Sequence, residues 1–230
     1  MEANHEMNIL VTNADNPFAG AVADRLAEHH AVRRIGWEEP LEADAATDQV
    51  VAGIEAVVHF ALPRAGGDAN DLIDHATRRT YNLLLAAVAA GAERCICVST
   101  LRLFEALPAH FTVTEQWRSR PPSDDPALLA CHLGEIIAKE CARDRLMRVL
   151  TLRLGFPEVV GDRGALSGKH GPAAIAASDA ADAIARALAA ELAQWQEVHV
   201  QSPGPRARYL MREAERLLAF PSADSEGAVS

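Results

Sequence analysis

RTYNLLLAAVAAGAERCICVST, residues 79–100, decides the fold. Its first part is a run of leucine, alanine and valine with no proline and no interior glycine, which predicts a helix. Extended back to the polar residues before it, that helix runs from about Asn70 to Ala90. Gly91 follows at the position where a chain leaving a helix most often turns left-handed. Arg94–Ser99 then reads as a strand, with Cys95 and Cys97 alternating onto one face. A long helix feeding a short apolar strand through a tight glycine turn is half of a βαβ crossover.

The same alternation continues in both directions. Upstream, Asn8–Thr12 reads as a strand and Phe18–His30 as a helix with Pro17 at its first turn. Val32–Ile35 and Ala56–Phe60 read as further strands, with a short, weak one near Leu41–Ala43 between them. Downstream, a polar, proline-containing loop runs to about Asp125, and Ala127–Asp144 is helical with Leu129, Leu133, Ile136 and Ile137 on one stripe. Arg148–Leu154 is a strand. Past Gly155 the pattern loosens, then resumes as a helix near Ser178–Ala193, a strand at Glu197–Gln201 and a helix near Ala207–Leu218. From Pro221 onward the residues are small and polar, the composition of a frayed tail. Such alternation predicts an α/β fold, a Rossmann-type doubly wound parallel sheet, with ligands at the carboxyl ends of its strands. One domain over residues 1–220 is expected, residues 155–220 adding a small C-terminal lobe.

Composition narrows the function. With 32 acidic against 22 basic side chains, the formal charge of −10 argues against a nucleic-acid partner. No stretch approaches membrane-spanning length and residues 1–7 are too polar for a signal peptide, so a cytoplasmic protein is expected. The four cysteines and nine histidines show no ligand spacing, so no metal site is expected and the thiols read as packed core groups.

NILVTNADNPFAGAVADRL, IEAVVHFAL, the helix–strand unit quoted first and GEIIAKECARDRLMRVLTLRLG stand in an order and spacing that resemble the extended short-chain dehydrogenase/reductases, the NAD-dependent epimerase/dehydratase family. RGALSG, residues 163–168, and ADAIARALAAE are similar to the short C-terminal lobe of its uronate dehydrogenase-like members. The resemblance implies a diphosphate turn of the form G-x-x-G-x-x-G after the first strand. Here Asn13, Asn16 and Ala19 occupy the glycine positions, and each asparagine adds a side chain where the diphosphate approaches. It implies an acidic ribose ligand after the second strand, where Gly36 stands, with Arg33, Arg34, Trp37, Glu38 and Glu39 nearby. It implies His59 beside the cofactor, with Leu62 and Ala76 replacing the usual small residue and asparagine. It also implies a catalytic Y-x-x-x-K pair, and alignment through Gly134 and Glu135 places Ala127 and Cys131 there. Thr100 matches the hydroxyl residue that orients substrate.

The resemblance thus leaves three readings. A non-redox descendant binds a small molecule in the cleft for regulatory or scaffold purposes. A cofactor-independent isomerase, cyclase or lyase uses Thr100, Arg102 and a loop carboxylate such as Glu115, with Arg118 close by. An NAD(P)-dependent epimerase, dehydratase or sugar-acid oxidoreductase works with unusual residues. The first two are favoured, with NAD or NADP binding weakly or not at all. The family's usual pairing implies a homodimer through the helices at residues 70–90 and 127–144, whose apolar residues exceed what one sheet contact needs.

Overall fold

The computed structural model describes residues 6–62, 64, 66–121, 124–158, 173–202 and 208–221. The 163–168 segment and the tail beyond Pro221 lie outside the described residues. Six described strands form one parallel sheet in the order β2-β1-β3-β4-β5-β8: β1 Asn8–Val11, β2 Ala31–Arg34, β3 Ala56–Phe60, β4 Arg94–Thr100, β5 Arg148–Leu154 and β8 Trp195–Val200. A separate two-stranded piece pairs β6, Phe156–Glu158, with β7, Ala174–Ala176. The chain moves outward from β1 to β2, then crosses back to β3 on the other side of β1. That reversal opens a crevice above the carboxyl ends of β1 and β3.

Each face of the sheet carries its own core. Ile9, Val11, Val58, Ile96, Val98, Leu150 and Leu152 pack against α1, Pro17–Leu26, and α6, Ala177–Ala189. Leu10, Val57, Cys95, Cys97 and Val149 face the other way, onto α2, Ala45–Val51, α4, Thr80–Ala89, and α5, Pro126–Arg143. Alternation along fully buried strands produces this partition directly. All four cysteines are free and buried, and burial pushes each thiol up. No helix among the described residues is long and apolar enough to cross a membrane.

Three local readings need correction. No strand forms at Leu41–Ala43. Leu41 takes a positive φ of 40° and is buried, its carbonyl receives the Asn82 amide at 3.0 Å, and Asp44 then caps α2 through the Ala46 and Thr47 amides. The first helix ends at Leu26, short of His30. The expected helix over residues 70–90 is α3, Ala69–Asp74, and α4 joined by a π-helical turn, His75–Arg79. A π-turn leaves no trace in apolar periodicity, and such turns concentrate at functional sites.

Helix α5 is fastened to the sheet by a buried ion-pair network. Arg153 on β5 forms a bidentate pair with Glu135 of α5, at 2.9 and 2.8 Å, and a third bond to Glu197 of β8 at 2.9 Å. Arg153 and Glu135 are almost fully buried, so removing Glu135 leaves the guanidinium without its bidentate partner and held by Glu197 alone. Glu135→Ala is expected to lower stability by about 3–5 kcal/mol in urea unfolding. A loss below about 1 kcal/mol, the scale of a surface pair, would contradict this picture.

Candidate functional site

The crevice begins at the turn after β1. Asn13 adopts a positive φ of 54°, which asparagine tolerates, and its side-chain amide donates to the Phe60 carbonyl at the end of β3, at 2.6 Å. Asn16 caps α1, its side-chain oxygen accepting the amides of Phe18 at 2.9 Å and Ala19 at 3.3 Å. These first-turn amides are the ones a bound diphosphate would engage at this helix end. Here the chain's own carboxamide holds them.

Gly20, one residue beyond the expected motif, packs α1 against the turn. A Cβ there would come within 2.9 Å of the Ala14 carbonyl oxygen.

The second strand's end is also rebuilt. Asp15 reaches across from the first turn to accept the Trp37 amide at 3.0 Å, lying over Gly36, where a Cβ would sit 3.3 Å from the Asp15 carboxyl carbon. Acidic charge is thus present at this end of the cleft, but it arrives from the diphosphate turn. Trp37 stacks on His75 of the π-turn, with ring centroids 3.7 Å apart and planes within 5°, and its indole N–H donates to Asp71 at 3.2 Å. The Arg64 guanidinium covers the ring at 4.7 Å from its centroid.

Two cavities lie over the crevice, with the exposed Arg64 side chain between them. On one side lies a cavity of about 280 Å³ lined by Asn13, Asp15, Asn16, Trp37, Phe60 and Leu62. On the other is one of about 380 Å³ lined by Gly66, Gly67, Leu72, Arg102, Asp125 and Ala127. Arg64 lines both. A dinucleotide diphosphate at this helix end would need the amides that Asn16 holds, so the turn as it stands does not fit one.

The expected chemical groups are dispersed. Ala127 lines the larger compartment, while Cys131, one turn on, is buried, its thiol pushed up by burial. Arg102 points into that compartment and pairs with Glu105 at 3.3 Å and Asp125 at 3.6 Å. Thr100 is buried, and its hydroxyl accepts the Arg102 amide at 3.2 Å, starting the 3-10 turn Leu101–Phe104. That is a structural turn contact.

Glu115 is not a cleft residue, contrary to expectation. It accepts the Glu213 amide at 3.2 Å and, with Arg118, lines a separate cavity on the flank of α5. His132, which hydrogen-bonds Ser119 at 3.0 Å, lines the same cavity.

His59 is also displaced from its expected role. It is buried beneath the crevice, and its protonation follows from its partners. The Thr80 hydroxyl donates to the His75 carbonyl at 2.8 Å, so at 3.2 Å it accepts from His59 Nε2–H. His59 Nδ1 then accepts the Thr12 hydroxyl at 3.1 Å, and Thr12 in turn accepts the Phe60 amide at 2.9 Å.

Solved structures share this architecture. Glucuronic acid dehydrogenase from Chromohalobacter salexigens is 17% identical and aligns over 98% of this chain and 91% of its own, with a TM-score of 0.76. A mutant uronate dehydrogenase from Agrobacterium tumefaciens complexed with NAD is also 17% identical, over 95% and 85%, with a TM-score of 0.77. UDP-glucuronic acid 4-epimerase from Bacillus cereus in complex with NAD is 15% identical, over 94% and 91%, with a TM-score of 0.74. This chain has the extended short-chain dehydrogenase/reductase fold. No family model matches its sequence, and no curated protein does either. Identity this low carries the architecture and leaves the chemistry to the residues in the cleft.

Burial drives His59 and His199 down to about 3, and His75 to about 4, so all three are neutral in the folded chain. The unfolded chain takes up protons below about 6.5 while the folded chain does not, so stability falls as pH drops from there toward 4. Each histidine contributes a slope of about 1.4 kcal/mol per pH unit in that window. Urea unfolding across the window checks this, and His59→Gln is expected to reduce the slope. A flat profile would contradict the neutral assignment.

Proposed function

We propose that this chain is a non-redox relative of the NAD-dependent epimerases and dehydrogenases, binding a compact anion in its cleft without a reacting dinucleotide. The observation that carries the reading is Asn16 capping the α1 amides, a role that leaves no open diphosphate cradle. Asp15 adds a negative charge beside the same turn. Ala127 and Cys131 supply neither a proton donor nor a lysine to tune one, a loss worth roughly a hundredfold or more in rate. The compartment beside Ala127 is lined by Arg64, Arg102 and Asp125, and an incoming carboxylate would compete with the loose pairs Arg102 makes with Asp125, at 3.6 Å, and Arg64 with Glu38, at 3.8 Å. A regulatory or ligand-sensing role fits this lining better than catalysis, because Thr100 and Glu115 lie outside the compartment.

Calorimetry with NAD, NADH, NADP and NADPH tests the first part. No binding in the low micromolar range is expected, and a dissociation constant there, about −8 kcal/mol, would restore the redox reading. Asn16→Gly is expected to cost only a few tenths of a kcal/mol in stability, because glycine is itself an adequate cap, while strengthening dinucleotide binding by opening the amides. Glucuronate, the acid type named for several similar structures, is the probe for the second part. Saturable binding lost in Arg102→Gln is expected; binding indifferent to that change would refute the anion site.

A homodimer through α3–α4 and α5 belongs to the same proposal. Leu83, Leu84, Leu128 and Ala138 are consumed by the chain's own core, which narrows the apolar surplus to the outer stripe. Tyr81, 48% exposed, and Ile136, 38% exposed, lie on that stripe with half-buried Leu129 and Leu133. Light scattering is expected to report twice the chain mass, and Tyr81→Glu combined with Leu133→Glu to yield monomers. A wild-type monomer at high concentration would overturn the pairing.

A further inference from the structure

The compartment beside Ala127, of about 380 Å³, presents charges of both signs to a ligand. Arg64 and Arg102 line it together with Asp125, the capping residue of α5, while Leu72 and Ala127 give it an apolar side. The three charged side chains keep between 33% and 42% of their surface exposed, so they are open to contact from within the compartment.

Each of these groups is anchored at one atom and loosely matched at another. Arg102 hydrogen-bonds Glu105 through Nε at 3.3 Å, and its Nη2 stands 3.6 Å from Asp125 Oδ2. Asp125 Oδ1 accepts the Leu128 amide at 3.0 Å, which leaves Oδ2 as the oxygen turned to the arginine. Arg64 Nη1 is 3.8 Å from Glu38, with the guanidinium 4.7 Å from the Trp37 ring centroid. Both ion pairs are too long for a hydrogen bond and too exposed to hold strongly, so a ligand can take the place of either partner.

That arrangement discriminates among anions. A plain carboxylate that draws Arg102 to itself takes the cation away from Asp125 and leaves two like charges facing each other. A ligand with an ammonium beside its carboxylate meets both groups at once. Its carboxylate takes the arginine forks, and its ammonium replaces the guanidinium at Asp125 Oδ2. Because Arg102 and Asp125 stand close together, the two charges of the ligand must also be close, and a single carbon between them meets that condition.

We propose that the compartment binds an α-amino acid, with its carboxylate on Arg102 and Arg64, its ammonium on Asp125 and an apolar side chain against Leu72 and Ala127. The assignment rests on the anion-binding reading of the cleft and names the class of that anion.

Calorimetry on the full chain compares L-valine with its hydroxy analogue, 2-hydroxyisovalerate, and with L-valinamide, which keeps the ammonium and loses the carboxylate, beside the glucuronate titration. L-Valine is expected to bind saturably and about tenfold more tightly than the hydroxy acid, the difference made by one charge-assisted hydrogen bond, and L-valinamide not to saturate. In Asp125→Asn, which keeps a capping side chain, that preference is expected to vanish while the hydroxy acid still binds. An unchanged urea midpoint shows that the variant is folded, and the comparison of ligands on the wild-type chain needs no variant. A hydroxy acid that binds as tightly as L-valine, or binding of glucuronate without binding of L-valine, overturns the amino-acid assignment and leaves the anion site standing. An unaltered preference for L-valine in folded Asp125→Asn overturns the assignment too, as does L-valinamide binding as tightly as L-valine. No saturable binding of L-valine, the hydroxy acid or glucuronate overturns the anion reading itself.

Discussion

A single hydrogen-bond chain holds the switch point of the sheet together. It runs from the Phe60 amide through the Thr12 hydroxyl, the His59 ring and the Thr80 hydroxyl to the His75 carbonyl. It therefore joins β1, β3 and the π-turn before α4, the three elements that bound the crevice. Every member is buried, so each donor and acceptor must be matched internally, and one neutral tautomer of His59 matches them all. The π-turn follows from the same constraint. It places the His75 carbonyl over Thr80 and turns the His75 ring outward, flat against Trp37. Trp37 in turn gives Arg64 its platform, and Arg64 lines both cavities of the cleft. A core hydrogen-bond chain thus leads, contact by contact, to the shape of the ligand space.

The turn between β1 and α1 is satisfied by its own side chains. Asn13 retains the left-handed backbone, and Gly20 retains the close approach of helix to turn. What differs is the destination of the amides and the source of charge. Asn16 satisfies the helix end with an uncharged side chain, and Asp15 carries acidic charge into the turn from which it bridges to the second strand. That backbone geometry is stabilised here by the chain's own side chains.

Much of this architecture is legible in the sequence, and the failures have physical causes. The unit at residues 79–100 is decisive because helix, glycine stop and buried strand are all local signals. Helix α2 is short and lacks a continuous apolar stripe, so its one clear mark, the Asp44 cap, is easily passed over as loop. Asn16 before Pro17 is a helix-start signature, and reading it only as a lost glycine hides its capping role. Arg153 amid the apolar strand RVLTLRL signals a buried charge that needs a carboxylate partner, and Glu135 in α5 is the complementary mark. The Trp37–His75–Arg64 stack carries no such signal. Its members come from three separated segments, and only the folded sheet and the π-turn bring them together.

Helix α5 is where the structural and chemical roles separate most plainly. The position of Ala127 opens on the cleft, and that of Cys131 lies in the core one turn later, yet Glu135, another turn along, still ties the helix to Arg153 on β5. Ala127 and Cys131 are small fillers at their positions, the first half-buried and the second buried. Loss of Glu135 would strip the buried guanidinium of its bidentate partner and leave it to Glu197 alone, a penalty that no change in substrate can offset. The two constraints act on one helix, three to four residues apart, and they are independent. That independence lets the helix keep its tie to the sheet whatever residues stand at positions 127 and 131, beside a compartment lined by Arg64, Arg102 and Asp125.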